Sequence, residues 1–397
     1  MKRRNEAGQT LVLVALGIVL FAGALGLALD IGYLRYLRRQ EQSAADSAAI
    51  AGAAELDYTS TTPTAAAQAD AARSGFTDGT NGATVTVNNP PASGPYASDL
   101  NYVEVIVQQQ APTFFIRAVP GGPTTTTTSA RAVAHLGNGR GCAYGLATTH
   151  DAITVDSGTS VTATGCSVVA NHNLTLDGGG GMTAYSIGYA NRCHNCGSAS
   201  PAPVKIVPAA DPLAYLSPPS PSGCLQTGLT INGEGSPGSP VILFAGTYCN
   251  GLTIERGSTV SLSSSGNSVF VINGGTLTIS GSTVTGTGVL IYVTGGAQVA
   301  IDAASVINLS APTTEPYLGI LFYQDPADNT VASLGGFNET FTGALYFPSA
   351  TLDMNGTSSS ASYTIIDADA IVFQGSTVLK SPPITTASPI QDAVLAE

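Results

Sequence analysis

The chain has 397 residues, 14 Lys+Arg against 26 Asp+Glu, a net charge of −12 and 10% charged residues, with a mean hydropathy of +0.21. Such a balance excludes a disordered chain, which needs low hydropathy and high net charge. Beyond residue 141 there are 4 basic and 16 acidic residues, whereas the first 141 carry 10 of each; the acidic part repels nucleic-acid phosphate and anionic lipid, so neither is its partner.

Residues 11–29, LVLVALGIVLFAGALGLAL, form an uninterrupted apolar run of 19 positions between Lys2, Arg3 and Arg4 on one side and Asp30, Arg35, Arg38 and Arg39 on the other. As a helix it is ~28 Å long, close to the ~30 Å hydrocarbon layer of a bilayer. A cleaved secretory signal has a shorter core of about 7–15 residues, and a buried soluble helix needs apolar residues on one face only. The run therefore predicts a retained single-pass anchor, continued by alanine-rich sequence into one helix over about 8–56. Ala22 with Gly26, and Ala24 with Ala28, are small residues four apart, a spacing that permits close helix packing in lipid or nothing more than ordinary membrane-helix composition.

Loop charge does not orient the span, because three basic residues lie on each side. Cysteine does: Cys142, Cys166, Cys193, Cys196, Cys224 and Cys249 all lie in the C-terminal part, an even number suited to disulfides in an oxidising compartment. The expectation is a bacterial inner-membrane protein with its N-terminus inside and its bulk extracytoplasmic.

Gly8-Gln9 ahead of the span, Asp30-Ile31-Gly32-Tyr33 at its exit, the basic Arg38-Arg39 and the polar-then-alanine stretch 42–54 occur in order. This N-terminal segment, 1–56, resembles that of Tad-type (Flp) pilus-assembly proteins of the TadG/TadE group, and 114–134 resembles more weakly the strand after that family's first soluble region. The resemblance implies a membrane-anchored part of an apparatus that assembles adhesive pili, with other pilus-assembly proteins or cell-surface ligands as partners. Two features depart from it. Asp156-Ser157-Gly158-Thr159-Ser160 lacks the first Ser of the metal site that some members carry, and Gly8 follows Glu6, so no prepilin-peptidase site precedes the span.

Residues 57–136 read as a small α+β region. A helix is expected over 64–75 and alternating strands over 83–87 and 102–108, with a boundary to the next domain in the low-complexity stretch 120–128.

From 142 to 380 short β runs alternate with Gly, Ser, Asn and Asp. Residues 252–262, 277–286 and 299–309 repeat one design at offsets of 25 and 22. Short strands recurring every twenty-odd residues predict a right-handed parallel β-helix in which Val, Ile and Leu share one interior; the alternative is a β-sandwich, which uses longer strands. The proline-rich segment 201–221 reads as a loop thrown out from the stack, and 381–397 as a tail. Cys142 and Cys166, and Cys224 and Cys249, lie one coil apart, so rungs ~4.8 Å apart would bring each pair within disulfide range; Cys193-His194-Asn195-Cys196 supplies a local pair.

Chemistry is weakly marked. Cys193/Cys196 lack the second ligand pair of a structural zinc site, because His135, His150 and His172 are scattered. The Gly-rich stretch 174–182 lacks the Lys-Ser/Thr of a phosphate loop. Asp367 and Asp369 lie two apart, so strand alternation permits an acid/base pair on one face, but Arg192, Lys205, Arg256 and Lys380 are too few to line a polyanion groove and the two read instead as solvated turn acids. The sequence thus predicts no catalytic, cofactor or metal residues: a membrane-anchored structural or binding component of Tad pilus assembly or surface adhesion, the alternative being an anchored carbohydrate-active β-helix enzyme.

Overall fold

The computed structural model describes residues 7–58, 62–138, 141–263, 268–358, 363–381 and 388–396. The chain forms two compact units, Met1–Gly137 with Asp392–Glu397, and Asn138–Gln391.

The first unit is led by helix α1, Ala7–Tyr58, whose N-terminal half exposes its large apolar side chains. Its C-terminal half is different. Ala44, Ala45, Ala48, Ala49 and Ala53 are buried against Val103, Val105, Val107 and Ala132 of a sheet; their spacing of three and four makes one helical stripe, and their small size lets the helix lie close on the strands. A second helix, α2, Pro63–Arg73, starts with Thr62 accepting from the Ala65 N–H at 3.2 Å. Proline fits the first turn because no carbonyl there needs its missing N–H.

The sheet is antiparallel, in the order β1 Ala83–Asn88, β2 Tyr102–Pro112, β3 Thr125–Asn138, then the C-terminal strand Gln391–Leu395. Two sequence expectations are corrected here. The stretch 120–128 is no boundary, because Thr125 begins β3 and pairs with Pro112; alternate residues Ala130, Ala132 and Ala134 then enter the core. Residues 381–397 are no plain tail either: the Ala396 N–H donates to the Val133 carbonyl at 2.7 Å, beside β3.

The second unit is a parallel β-solenoid of about 10 turns. The offsets of 25 and 22 are rungs, with Leu252 beside Leu277 and Leu277 beside Val299. The strands pair in parallel with the next coil throughout, which excludes the sandwich of antiparallel strands. Leu252, Leu277, Val299, Ala332, Leu352, Ile371, Ile153 and Leu174 form one buried interior row.

The coil order differs from the sequence order. From 224 the chain winds coil by coil to 378, and its last coil, 364–378, stacks on the first one of the unit: Ile366 pairs with Ala143, Ile371 with Ile153 and Thr377 with Val161. From there 141–200 continues in the same sense along the same axis, each later coil stacking beyond the one before it. One continuous stack is thus built from two chain segments that meet within it, and 206–223 must run back along the whole stack to join their far ends.

Candidate functional site

The apolar half of α1 ends at a tightly built junction. Asp30 is buried, and its carboxylate accepts three backbone N–H groups from the turn after β2: Phe114 at 2.9 Å, Phe115 at 2.9 Å and Ile116 at 2.7 Å. These are the donors left over at the start of the 3-10 turn Ile116–Ala118. Tyr33 meets the Phe114 ring edge-on, centroids 5.4 Å apart. One turn earlier, a Cβ on Gly26 would lie 2.7–2.8 Å from Phe115 carbons, so only glycine lets the ring sit there.

Of the four small residues, then, Gly26 is covered by its own chain, while Ala22, Ala24 and Ala28 stay exposed. Farther along the helix, buried Glu41 accepts from the Thr128 hydroxyl; burial raises its pKa more than that bond and Arg38 lower it. Burial alone would also raise Glu104, but Arg131, Asn88 and the Ala92 N–H outweigh it and hold that carboxyl low.

In the solenoid one outward row crosses the rungs as Thr247, Val271, Tyr292, Tyr323, Tyr346, Asp367, Tyr144 and Val169. The proline-rich segment lies on it as a strap and is not thrown out. Its polar tethers fall in chain order: Ile206 N–H to the Tyr189 carbonyl at 2.9 Å, Ala209 with Asn171, Asp211 with Tyr346, and the Leu216 carbonyl with Tyr323. Leu213 is fully buried among the tyrosines. Prolines keep such a segment extended and bring no N–H that would need an acceptor.

Under the strap lies Asp367, fully buried, with neither oxygen receiving a donor among the described groups. Burial first, then the facing Asp211 carboxylate, pushes its pKa well above the usual carboxylate range. Protonated, Asp367 donates to Asp211, which also accepts from the Tyr346 hydroxyl at 2.8 Å. Asp369, expected to share a face with Asp367, instead meets His150 Nε2 at 3.1 Å and is partly exposed. The two aspartates thus engage different partners, and Asp367, buried within a strand, is not the solvated turn acid that the sequence suggests.

A second outward row is Thr230, Thr253, Thr278, Ala300, Ser333, Asp353, Val372, Thr154 and Thr175. A third carries Ser261, Thr285, Asn308 and Thr340. These strips are rich in hydroxyl groups. Among the described residues no three His, Cys, Asp or Glu side chains are placed to hold a metal ion.

Three disulfides staple the stack. Cys142–Cys166 and Cys224–Cys249 join adjacent coils with Cα atoms 5.6 and 5.7 Å apart, and Cys193–Cys196 closes a local turn. The Gly-rich stretch 174–182 is a strand, a corner at 177–180 and the start of the next strand.

Sequence reasoning missed the strap and the apolar turn at 114–119. The signal for the strap was Asp211-Pro212-Leu213, apolar and polar residues set among prolines; for the turn it was Phe114-Phe115 standing outside any alternating run.

No curated protein and no solved structure matches the chain. Residues 226–391 match a domain of unknown function, DUF7305, which covers the seven coils from one end of the stack to the join and leaves out the coils of 141–200. Residues 8–55 match the family described as putative Flp pilus-assembly TadE/G-like, over the segment that carries the apolar run, Asp30, Tyr33 and the alanine stripe.

Proposed function

We propose that the protein is a single-pass component of the Tad (Flp) pilus-assembly apparatus in the inner membrane, N-terminus inside, whose extracytoplasmic solenoid is a structural or binding element. The observation that carries this reading is the coincidence of the Tad-like match at 8–55 with the one described helix that is long and apolar enough to cross a membrane. Three disulfides support an oxidising compartment for the solenoid. The hydroxyl-rich strips and the complete burial of Asp367 favour binding over hydrolysis, since glycoside cleavage needs two carboxyl groups that both reach one bond.

The test is chemical crosslinking of the intact protein in cell envelopes. Recovery of other Tad-apparatus proteins on the extracytoplasmic side is expected. Recovery of none, together with depolymerisation of a polysaccharide by the purified protein, would reverse the reading in favour of an anchored carbohydrate-active enzyme.

A further inference from the structure

The turn that Asp30 holds is apolar and bare. Phe114, Phe115 and Val119 are 48%, 49% and 59% exposed, an unusual concentration for a polar-solvent loop. Its depth follows from the helix that it touches. Phe115 lies against Gly26, and Gly26 lies three residues inside the end of the 11–29 run, which is ~4.5 Å along the axis. Amphipathic elements that rest in a bilayer surface bury their apolar face ~5–10 Å into the boundary between headgroups and acyl chains. The first depth lies close to the shallow end of the second.

Resting on the reading of 11–29 as a spanning helix, we propose that residues 114–119 form a second membrane contact, a tip seated in the bilayer interface and fixed to the anchor by Asp30. Phe114, Phe115 and Val119 enter the acyl boundary; exposed Arg117 supplies a cation to the phosphate layer. The occupant is lipid, because the tip is continuous with the lipid-facing surface of α1 and lies at its level. Asp30 makes this possible: a carboxylate at the hydrocarbon edge is costly unless satisfied, and the three turn N–H groups satisfy it while the turn's own donors are taken out of the lipid.

The chain contains no Trp, so single-tryptophan variants of the full-length protein in phosphatidylcholine vesicles report depth directly. Phe21→Trp reads the anchor; Phe114→Trp and Val119→Trp read the tip. Lipids brominated near the headgroup are expected to quench both tip reporters at least roughly twofold more than lipids brominated near the chain end, as a shallow seat requires. Adding Asp30→Ala is expected to abolish tip quenching while Phe21→Trp stays quenched. Quenching of Phe21→Trp with neither tip reporter affected overturns the tip and spares the anchor. An unquenched Phe21→Trp overturns the anchor, and the tip with it. Tip quenching that survives Asp30→Ala overturns the holding role of Asp30.

Discussion

Two buried aspartates show two ways of keeping a carboxyl group out of water. Asp30 is met by three backbone donors and needs no proton, whereas Asp367 has only oxygens before it, from Asp211, with Tyr346 and Tyr144 as its rung neighbours, and must hold one. Its folded pKa is raised, so its contribution is complete below the ordinary carboxylate range and is lost as pH rises through the raised value. Asp367→Asn supplies a permanent donor to Asp211. It is expected to leave the melting temperature unchanged at pH 4 and to stabilise the solenoid at pH 8 by about 2 kcal/mol, the cost of an unsatisfied buried polar group. Melting curves of both proteins across that range check it; parallel pH profiles would dismiss the shared proton. The sequence offered Asp367 with Asp369 as a pair because they lie on one strand face. It hid Asp211, which arrives from 156 positions away by a path that no local pattern encodes.

Among elements, the coils were legible and the strap was not. Offsets of 25 and 22 between similar runs translate directly into rung pairs because every coil must return to the same interior row. Prolines signal only that a segment makes no ladder; whether it is loose or lies on a surface depends on tyrosines far away in sequence. Leu213→Ala should therefore cost about 2–5 kcal/mol, as for other buried leucines, and should open 206–223 to limited proteolysis before the coils are cut. Equal protease resistance in the variant would show the strap to be held by its polar tethers alone. The disulfide Cys224–Cys249 closes the outermost of the coils that begin at 224, over a sequence separation of 25. Replacing both cysteines by serine is expected to lower stability by about 3 kcal/mol through loop entropy. Hydrogen exchange should localise the loss to 224–243, and uniform loss through the stack would contradict the nearest-neighbour character of a solenoid.

For the molecule as a whole, the reading of an apolar leading helix, a small α+β region and a parallel solenoid was available from patterning, while the joining of two chain segments in mid-stack was not. Hydrophobic periodicity gives each coil its faces but carries no information on which coil is next, since every interior row is a similar run of Val, Ile and Leu. The join at 364–378 and 141–163 is expected to hold without a covalent link. A protease site placed in the exposed part of the strap should, once cut, give two fragments that still migrate together under native conditions and separate in denaturant. Fragments that part spontaneously would show the mid-stack contact to be too weak to count as one domain.

The strap also sets a gauge for how this architecture grows. Its 18 residues, 206–223, reach ~59 Å when extended at ~3.3 Å per residue, whereas the nine steps of a stack of about 10 turns rise ~43 Å. Duplicating two or three coils in either segment uses up that slack. Longer homologues must then lengthen the proline-rich tether in proportion, so tether length and coil number should rise together across relatives, as a measuring tape follows the thing measured.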